Sequence, residues 1–453
     1  MDMDLLGKNI VFLGIGGISM SALARIVHSM GANIFGTDIA TNENITALKK
    51  DKIAKIKIGN SPSMIRKADI VVYTNAIGNT NTDLKLAKRL GKKTFERATL
   101  LGIISCKYKQ VIAVSGTHGK TTTTSLLGWI MNVAGLNPTV HIGGISQNFN
   151  SNVHIGSNKY FITEACEYKK SFLQLNPNIN IINNIELDHP DCYKNYDEIK
   201  QAFVQLSRQT KDILVINGDV LDKTMFSTPN ILTFGLNNNN DIYAQNIQNH
   251  DNISSFDIIY HNCTIATIKT TLLGQHNVYN ILASTSVALV YNVDIEIIKQ
   301  AIDSFLGTKR RYEVLYSGKY NIVLDYAHHP SEIRACINAC LAQKPNRIIA
   351  VFQPHTYSRT LALMQQFCSC WQGVDKLYIL PTYAAREQVI LGGRAIDLFY
   401  NIQGIDVEYV SNIQSISYIL DINKSPKDTI LWLGAGDIEN VARQYAKTLL
   451  KDN

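Results

Sequence analysis

Long hydrophobic runs are absent from this sequence of 453 residues, and their absence bears on where the protein acts. No stretch approaches the about 18 consecutive apolar residues that a membrane-spanning helix requires. The chain opens Met1-Asp2-Met3-Asp4, without the basic segment that begins a secretory signal peptide. We therefore expect a cytoplasmic protein with no membrane partner.

Cys-x-x-Cys pairs and long clusters of basic residues are also absent, although Cys336 and Cys340 lie one helical turn apart and Cys368 and Cys370 two residues apart. The 8 cysteines include no Cys-x-x-Cys pair, so we interpret them as reduced residues that pack in the interior. The 44 lysines and arginines outnumber the 37 aspartates and glutamates, which gives a net charge of +7, but they are dispersed along the chain. This balance favours small anionic ligands such as nucleotides, and we expect no nucleic-acid partner.

Predicted strands and helices alternate along most of the chain, a pattern that indicates parallel sheets in an α/β fold. The length suggests about three domains. We predict a Rossmann-like N-terminal domain (residues 1–107), a central domain of the P-loop ATPase type (residues 108–308) and a Rossmann-like C-terminal domain (residues 309–453). In the central domain, short β-branched runs between residues 241 and 273 predict a small antiparallel meander beside the parallel sheet.

The most informative motif is a glycine loop that ends in lysine and threonine. Residues 115–124 read Ser-Gly-Thr-His-Gly-Lys-Thr-Thr-Thr-Thr, after an apolar run at 111–114 that predicts a buried strand and before a predicted helix. Backbone N–H groups at a helix N-terminus bind phosphate, and lysine adds a positive charge. The loop is shorter than the strict phosphate-loop motif, but a threonine-rich helix cap would not explain its glycines. We predict a nucleotide triphosphate site in which Lys120 contacts the phosphates and Thr121 binds Mg²⁺.

A second glycine loop lies near the N-terminus. Gly14, Gly16 and Gly17 follow the first predicted strand, and Asp38 ends the next one, where a dinucleotide fold places a ribose-binding acid. Ser19 stands where the third glycine of that fingerprint belongs, so the motif fits either a nucleotide site or a simple tight turn. With two such loops in one chain, a nucleotide-linked substrate handled beside ATP is favoured over a hydride-transfer cofactor.

Polar side chains follow several predicted strands. Glu164 and Glu167 come just after a predicted strand at 160–163, and Asp188 and His189 follow the next predicted strand. Because the carboxyl ends of parallel strands meet at one edge of a sheet, these groups are placed to hold Mg²⁺ against nucleotide phosphates. Each alone would be an ordinary surface group. Three later segments also place polar residues at strand ends, which favours substrate or nucleotide contact there; they are residues 325–330, 353–360 and 434–437.

With these motifs the chain resembles the Mur ligase family, the ATP-dependent amide ligases of peptidoglycan-precursor synthesis. The resemblance extends over nearly the whole chain in sequence order, and the shortened phosphate loop is typical of this family. The matching segments are residues 14–21, 116–124, 164–165, 184–189, 274–277 with Asn280, 310–311, 325–330, 352–360 and 434–437. Two positions depart from the family pattern: Cys166 replaces a common aspartate and Thr356 a common arginine.

The resemblance implies roles for individual residues. Those expected to bind ATP are Gly116, Thr117, His118, Gly119, Lys120, Thr121, Thr122, Asn280, Arg311 and Asp325. The expected metal ligands are Thr121, Glu164 and His189, and the expected catalytic residues are Lys120, Glu164 and His189. Those expected to bind the UDP part of the substrate are Gly14, Gly16, Gly17, Ser19 and Asp38. Those expected to bind the incoming amino acid are Tyr326, His328 and Arg359.

Within this family, the expected reaction joins L-alanine to the lactyl carboxylate of UDP-N-acetylmuramate through an acyl phosphate and releases ADP and phosphate. ATP and Mg²⁺ are then the cofactors, and the enzyme is expected to be a monomer or a homodimer. A recycling ligase that attaches a ready-made tripeptide to the same sugar nucleotide shares these motifs and stays open as a second hypothesis. A catalytically silent nucleotide-binding protein is a third hypothesis, and a nicotinamide oxidoreductase is a fourth.

Overall fold

The computed structural model describes residues 3–78, 80–228, 230–250 and 253–450. The chain forms two compact units. The first comprises Met1–Ile185, Ile199–Ile242 and Ile281–Phe305, and the second comprises Glu186–Glu198, Tyr243–Asn280 and Leu306–Asn453.

The first unit begins with a five-stranded sheet in the order β3-β2-β1-β4-β5, in which every pair of neighbours is parallel. This is the βαβ arrangement that the sequence predicts for the N-terminal region. Its strands are β1 (Asn9–Leu13), β2 (Asn33–Asp38), β3 (Ala54–Ile58), β4 (Ile70–Tyr73) and β5 (Lys93–Glu96). Its helices are α1 (Ile18–Ser29), α2 (Glu43–Lys50), α3 (Pro62–Lys67), α4 (Thr82–Arg89) and α5 (Arg97–Ser105).

The first unit contains a second run of strands in the order β12-β11-β10-β6-β9-β7-β8. All neighbours are parallel except β7 and β8, which form an antiparallel hairpin. The strands are β6 (Gln110–Ser115), β7 (Thr139–Ser146), β8 (Ser151–His154), β9 (Tyr160–Glu164), β10 (Ile179–Ile182), β11 (Ile213–Asn217) and β12 (Ile231–Gly235). The helices that follow are α6 (Lys120–Val133), α7 (Tyr196–Arg208), α8 (Gln275–Val290) and α9 (Ile295–Asp303), and the first residues of α7 and α8 belong to the second unit.

The second unit holds the predicted meander and a six-stranded sheet in the order β16-β17-β21-β18-β19-β20, parallel except for β16 with β17. The meander strands are β13 (Ile242–His250), β14 (Ile253–Tyr260) and β15 (Cys263–Thr270), and β14 and β15 pair antiparallel. The other strands are β16 (Glu313–Ser317), β17 (Asn321–Asp325), β18 (Ile348–Phe352), β19 (Lys376–Ile379), β20 (Asp406–Tyr409) and β21 (Thr429–Leu433). The helices are α10 (Pro330–Leu341), α11 (Tyr357–Ala362), α12 (Met364–Ser369), α13 (Ala395–Asn401), α14 (Ile416–Asn423) and α15 (Ile438–Leu449).

Apolar side chains cover both faces of the six-stranded sheet. One face packs around Phe352 and Trp371, and the other around Trp432 and Tyr445. Both faces are buried, which is why strands such as β18 read as continuous apolar runs in the sequence. The predicted three-domain α/β fold, with parallel sheets and an antiparallel meander, is confirmed, whereas the domain boundaries at residues 107 and 308 stay predictions.

Two further expectations concern membrane spans and cysteines. None of the helices in the described part of the chain combines the length and the apolar character that crossing a bilayer requires. All eight cysteines are free thiols, and Cys336, Cys340 and Cys370 are buried, as expected for packing residues. The expectation was wrong for Cys106 and Cys263, which are exposed. One boundary prediction was wrong: β9 runs to Glu164, so this carboxylate ends the strand and does not follow it.

Candidate functional site

The predicted phosphate loop is a tight connection between β6 and α6 that depends on its glycines. Gly116 has φ of +131° and Gly119, the N-cap of α6, has φ of +82°. A Cβ atom at Gly116 would lie 3.1 Å from the backbone nitrogen of Asn183 and 3.2 Å from that of Asn184. Gly116 is therefore required both for its backbone conformation and for the close approach of the next chain segment.

Two asparagines that follow β10 brace this loop. The N–H of Thr117 donates to the carbonyl oxygen of Asn184 over 3.1 Å, and the N–H of His118 donates to Oδ1 of Asn184 over 2.8 Å. Nδ2 of Asn183 donates to Oγ1 of Thr123 over 3.1 Å. The loop thus has a fixed shape set by neutral amide groups. Asn184 begins one of the segments that match the family, but its contact with the loop is not evident from the sequence.

Lys120 opens α6, and its ammonium group is held inside the loop. Nζ donates to the carbonyl oxygens of Gly116 and Thr117 at 2.5 and 3.0 Å, and it forms an ion pair with Glu167 at 2.9 Å. Burial is the largest single influence and favours a lower pKa, but Glu167, Cys166 and Glu164 together outweigh it, and the pKa of Lys120 is raised above its usual value. A permanent positive charge therefore lies at the N-terminus of α6, where a phosphate group is stabilised.

Side-chain oxygen atoms lie near the phosphate loop in the first unit, on Glu164, Thr121 and Thr122. The N–H of Gly143, on β7, donates to Oε1 of Glu164 over 2.5 Å, which fixes the carboxylate at the end of β9. Thr121 and Thr122 lie in the first turn of α6, and both are buried. Because β6 and β9 are parallel neighbours, Glu164 and the phosphate loop share one edge of the sheet.

The N-terminal glycine loop is braced by a carboxylate. Gly14 has φ of +78°, and Asp38, at the end of β2, accepts from the N–H of Gly16 and from the N–H of Ile39, each over 2.8 Å. Gly17 is the N-cap of α1, without a side-chain cap. Asp38 therefore holds the loop shape with its own oxygens, a role beyond the predicted contact with the UDP part of a substrate.

In the second unit, Asp188, His189 and Arg359 form one charged group. Nε and Nη2 of Arg359 lie 3.1 and 3.0 Å from Oδ1 of Asp188, and both side chains are buried. Burial favours a higher pKa for Asp188, but the Arg359 guanidinium holds it well below its usual range. His189 has φ of +56°, and its N–H donates to the same Asp188 oxygen over 2.7 Å.

His328 is a neutral, buried imidazole next to this charged group. Burial lowers the pKa of His328 to about 3. Its Nδ1 lies 2.9 Å from the carbonyl oxygen of Tyr326 and 3.2 Å from Oε2 of Glu332, so Nδ1 carries the proton and Nε2 a lone pair. The guanidinium of Arg311 lies 5.2 Å from the centre of the Tyr326 ring and pairs with Glu332 at 3.5 Å. The predicted amino-acid site is therefore a cluster of aromatic and charged groups.

Asp325 and Asn280, predicted to contact ATP, are both buried in the second unit. Oδ2 of Asp325 accepts from the N–H of Tyr312 over 2.6 Å, and Oδ1 accepts from the N–H of Ala327 over 2.7 Å. Burial raises the pKa of Asp325 to about 6 against the opposing charge of Arg311. Asn280 donates from Nδ2 to Oδ1 of Asn277 over 3.1 Å.

The predicted residues fall into three groups. The first unit holds the N-terminal glycine loop, and it brings Glu164 together with the phosphate loop and Lys120. The second unit brings Asp188, His189, Tyr326, His328 and Arg359 together. Because Lys120 and Glu164 belong to the first unit and His189 to the second, their joint action on one metal-bound nucleotide stays a prediction.

Three family models match consecutive segments of the chain. The Mur ligase family catalytic domain matches residues 9–109, the Mur ligase middle domain matches residues 114–288, and the glutamate ligase domain of Mur ligases matches residues 310–436. Together they cover most of the sequence, and they follow one another in the order of the three predicted domains.

Relatives of known name agree with these matches. The UDP-N-acetylmuramate–L-alanine ligase of Caldanaerobacter subterraneus is 42% identical over 97% of both chains. The enzyme of the same name from Acetivibrio thermocellus is 40% identical over 97% of this chain and 96% of its own. The crystal structure of UDP-N-acetylmuramate–alanine ligase from Thermotoga maritima superposes with a TM-score of 0.84 at 24% identity and covers 98% of this chain and 100% of its own. The phosphate loop, the three-domain fold and these full-length relatives together show that the chain belongs to the Mur ligase family.

Proposed function

We propose that this protein is an ATP-dependent ligase that joins L-alanine to the lactyl carboxylate of UDP-N-acetylmuramate and releases ADP and phosphate. The observation that carries this proposal is Lys120, held as a buried cation inside a glycine loop at the N-terminus of α6. The names and full-length coverage of the relatives support the choice of substrates. We further propose that residues 1–107 bind the UDP part, residues 108–308 ATP, and residues 309–453 the amino acid and part of the ATP.

The residues around the phosphate loop fit a nucleotide with Mg²⁺. The loop leads directly into the N-terminus of α6, where the first backbone N–H groups of a helix lack intrahelical partners and suit phosphate oxygens. Thr121 and Glu164 offer a hydroxyl and a carboxylate, which are hard oxygen ligands suited to Mg²⁺, and His189 is the candidate ligand of a second ion. When bound, Mg²⁺ supplies positive charge that offsets the charge on the phosphates.

In the proposed ATP site, Asn280 contacts the adenine side, Arg311 the phosphate side and Asp325 the ribose side. Arg311 is held beside Tyr326 and Glu332, so its guanidinium is oriented before any ligand arrives. Asp325 is anchored by two backbone N–H groups, which fixes the carboxylate in one position. Preorganised groups of this kind bind a ligand at a smaller entropic cost than mobile ones.

The amino acid is proposed to bind at Tyr326, His328 and Arg359. The guanidinium of Arg359 suits the carboxylate of L-alanine, and Asp188 fixes the plane of that guanidinium. Nε2 of the neutral His328 accepts a hydrogen bond, which suits the amino group. The amino acid thereby presents its nitrogen in a defined orientation.

An amide does not form from a carboxylate and an amine without activation, because the carboxylate is resonance-stabilised and hydroxide leaves poorly. In the proposed reaction a lactyl carboxylate oxygen attacks the γ-phosphorus of ATP and ADP leaves. The neutral alanine nitrogen then attacks the acyl carbon, phosphate leaves and the nitrogen loses a proton. Lys120 and Arg311 stabilise the negative charge that develops when the lactyl carboxylate approaches the terminal phosphate of ATP.

A phosphate-release assay, together with measurements of ATP and NAD(P)H binding, separates the proposed reaction from the competing hypotheses. Inorganic phosphate release is measured with ATP, UDP-N-acetylmuramate and a panel of L-alanine, L-serine, glycine and L-Ala-γ-D-Glu-meso-diaminopimelate. We expect release that depends on the sugar nucleotide and is fastest with L-alanine. Preference for the tripeptide would instead indicate the recycling ligase, and ATP binding without substrate-dependent release would indicate a silent nucleotide-binding protein. NAD(P)H binding would indicate an oxidoreductase.

A further inference from the structure

A row of hydrogen-bonded side chains runs through the first unit from the N-terminal glycine loop to the strand that ends at Glu164. At its centre is His141 on β7, which is 2% exposed. Nε2 of His141 lies 2.8 Å from Oγ of Ser19, the second residue of α1. Nδ1 lies 2.9 Å from Oγ1 of Thr163, the residue before Glu164. Both ring nitrogens are thus used, one toward each predicted binding site.

The groups at the two ends fix the direction of every hydrogen bond in this row. At one end, Nη1 of Arg97 donates to Oγ of Ser19 over 3.2 Å. At the other end, Oγ1 of Thr163 donates to the carbonyl oxygen of Glu164 over 3.1 Å. Thr163 therefore accepts from Nδ1–H of His141, and Nε2 accepts from the hydroxyl of Ser19. These directions describe a neutral ring, and burial, with a contribution from Arg97, lowers the pKa of His141 to about 3.

The hairpin that carries His141 also contacts both sites directly. Asn152, on β8, donates from Nδ2 to the carbonyl oxygen of Ile18 over 2.5 Å and to Oγ of Ser21 over 2.8 Å, in the first turn of α1. On β7, the N–H of Gly143 donates to the Glu164 carboxylate. The β7–β8 hairpin therefore holds the start of α1 and the proposed metal carboxylate on one piece of sheet.

We propose that His141 is a positioning residue that couples the UDP-substrate site to the ATP site. The identity of the two ligands rests on the proposed function. A sugar nucleotide that contacts the hydroxyl of Ser19 changes the hydrogen bond of that hydroxyl to His141, and the imidazole passes the change to Thr163 beside Glu164. The nucleotide with its metal then binds more tightly when the sugar nucleotide is present. By linkage, each ligand raises the affinity of the other by the same factor.

Three substitutions separate the two hydrogen bonds of His141. In His141→Gln the amide reaches the position of Nε2 and keeps the contact with Ser19. In His141→Asn the amide reaches the position of Nδ1 and keeps the contact with Thr163, and His141→Leu removes both contacts. His154→Gln is the matched control on β8, because the His154 ring stacks on Phe149 with 4.6 Å between centroids.

The test is calorimetric binding of a non-hydrolysable ATP analogue with Mg²⁺, with and without saturating UDP-N-acetylmuramate. For the unmodified enzyme and His154→Gln we expect the sugar nucleotide to tighten analogue binding about fivefold or more. For His141→Leu we expect a factor near one, while each ligand alone binds within about threefold of its normal affinity. In His141→Gln and His141→Asn the sugar nucleotide should also no longer tighten analogue binding, because each variant loses one of the two hydrogen bonds of the row. A factor retained in His141→Leu, or a factor of one in the unmodified enzyme, would overturn the proposal.

Two more measurements address the row itself. Ser19→Ala and Thr163→Val should have less than multiplicative effects on kcat/KM when combined, because either substitution interrupts the same row. Nitrogen-15 NMR of labelled histidine should show His141 with its proton on Nδ1, and a proton on Nε2 would contradict the assigned directions. Coupled binding without phosphate release would refute the proposed function and support this inference. Normal turnover with fully multiplicative effects would refute the inference alone.

Discussion

The two glycine loops of this chain have the same backbone plan, a strand, a glycine turn and a helix N-terminus, but they are braced by different chemistry. The loop at Gly116 is held by the neutral amides of Asn183 and Asn184, and its cation, Lys120, belongs to the loop itself. The loop at Gly14 is held by the carboxylate of Asp38.

The N-terminal loop takes its cation from elsewhere in the fold. Arg97, at the start of α5, donates to Ser19. A negatively charged brace reduces the positive potential that a helix N-terminus offers to an anion, whereas neutral amide braces leave that potential unchanged. Lys120 adds a positive charge, which its ion pair with Glu167 partly offsets. We therefore predict that the loop proposed for the triphosphate binds anions more strongly than the loop proposed for the sugar nucleotide.

The largest expected effect comes from removing the cation that distinguishes the two loops. Lys120→Met combined with Glu167→Gln should lower kcat by roughly 10³-fold, about 4 kcal/mol of transition-state stabilisation, in the phosphate-release assay. The second substitution is needed because an unpaired buried carboxylate costs about 3–5 kcal/mol of stability. Glu167→Gln alone is the control, and circular dichroism checks the fold. A double variant that keeps activity within about tenfold of the unmodified enzyme would contradict the role of Lys120.

The glycines offer the next test of the comparison. Alanine at Gly116 meets backbone atoms at 3.1–3.2 Å and has φ of +131°, whereas alanine at Gly14 meets a flexible Thr74 methyl group at 3.1 Å and has φ of +78°. With strain of about 1–3 kcal/mol, Gly116→Ala should raise the KM for ATP by about 10- to 100-fold. Gly14→Ala should raise the KM for the sugar nucleotide by a smaller factor. An increase in KM in Gly14→Ala equal to or larger than that in Gly116→Ala would show that the loop at Gly116 is not the more closely packed of the two.

The sequence predicts the features that act through local structure, but not those that depend on contacts between distant segments. The phosphate loop is recognisable because glycine, lysine and threonine act through the local turn and helix N-terminus. The specific contacts of that loop, such as Asn184 with His118 and Glu167 with Lys120, are not recognisable, because they depend on a strand order in which β6 lies between β10 and β9. That order brings Asn184 to the loop and Glu167 to Lys120 from opposite sides. The β7–β8 hairpin is equally hidden, since Gly143 and Gly144 interrupt the strand-like pattern of β7.

Exchanging amide for carboxylate at Asn184, or carboxylate for amide at Asp38, should have a smaller effect. Asn184→Asp keeps an acceptor for the N–H of His118 but places a negative charge beside the phosphate loop, so the KM for ATP should rise about tenfold. Asp38→Asn weakens one backbone hydrogen bond, and the KM for the sugar nucleotide should rise about fivefold. Each KM is measured with the other substrates saturating. A rise in the KM for ATP in Asp38→Asn larger than in Asn184→Asp would break the comparison.

The smallest effect concerns the charge of Lys120 at alkaline pH. In the unmodified enzyme the raised pKa of Lys120 keeps it protonated, so kcat/KM for ATP should show no lysine-dependent fall between about pH 7 and 9.5. In Glu167→Gln the main cause of the raised pKa is gone and burial lowers it. Lys120 then loses its proton as the pH rises through this range, and kcat/KM for ATP should fall about threefold or more. Parallel pH profiles for the two proteins would contradict the assigned ion pair.

The proposed reaction depends most on transfer of the terminal phosphate of ATP, which we propose is bound at the Lys120 loop, to the carboxylate of the sugar nucleotide. The direct measurement uses UDP-N-acetylmuramate whose lactyl carboxylate oxygens carry 18O, with ATP and L-alanine. One labelled oxygen per turnover should appear in the released inorganic phosphate, because the acyl phosphate breaks between that oxygen and the acyl carbon. Release of phosphate that carries no label, with amide formed at the normal rate, would contradict the mechanism proposed for this chain.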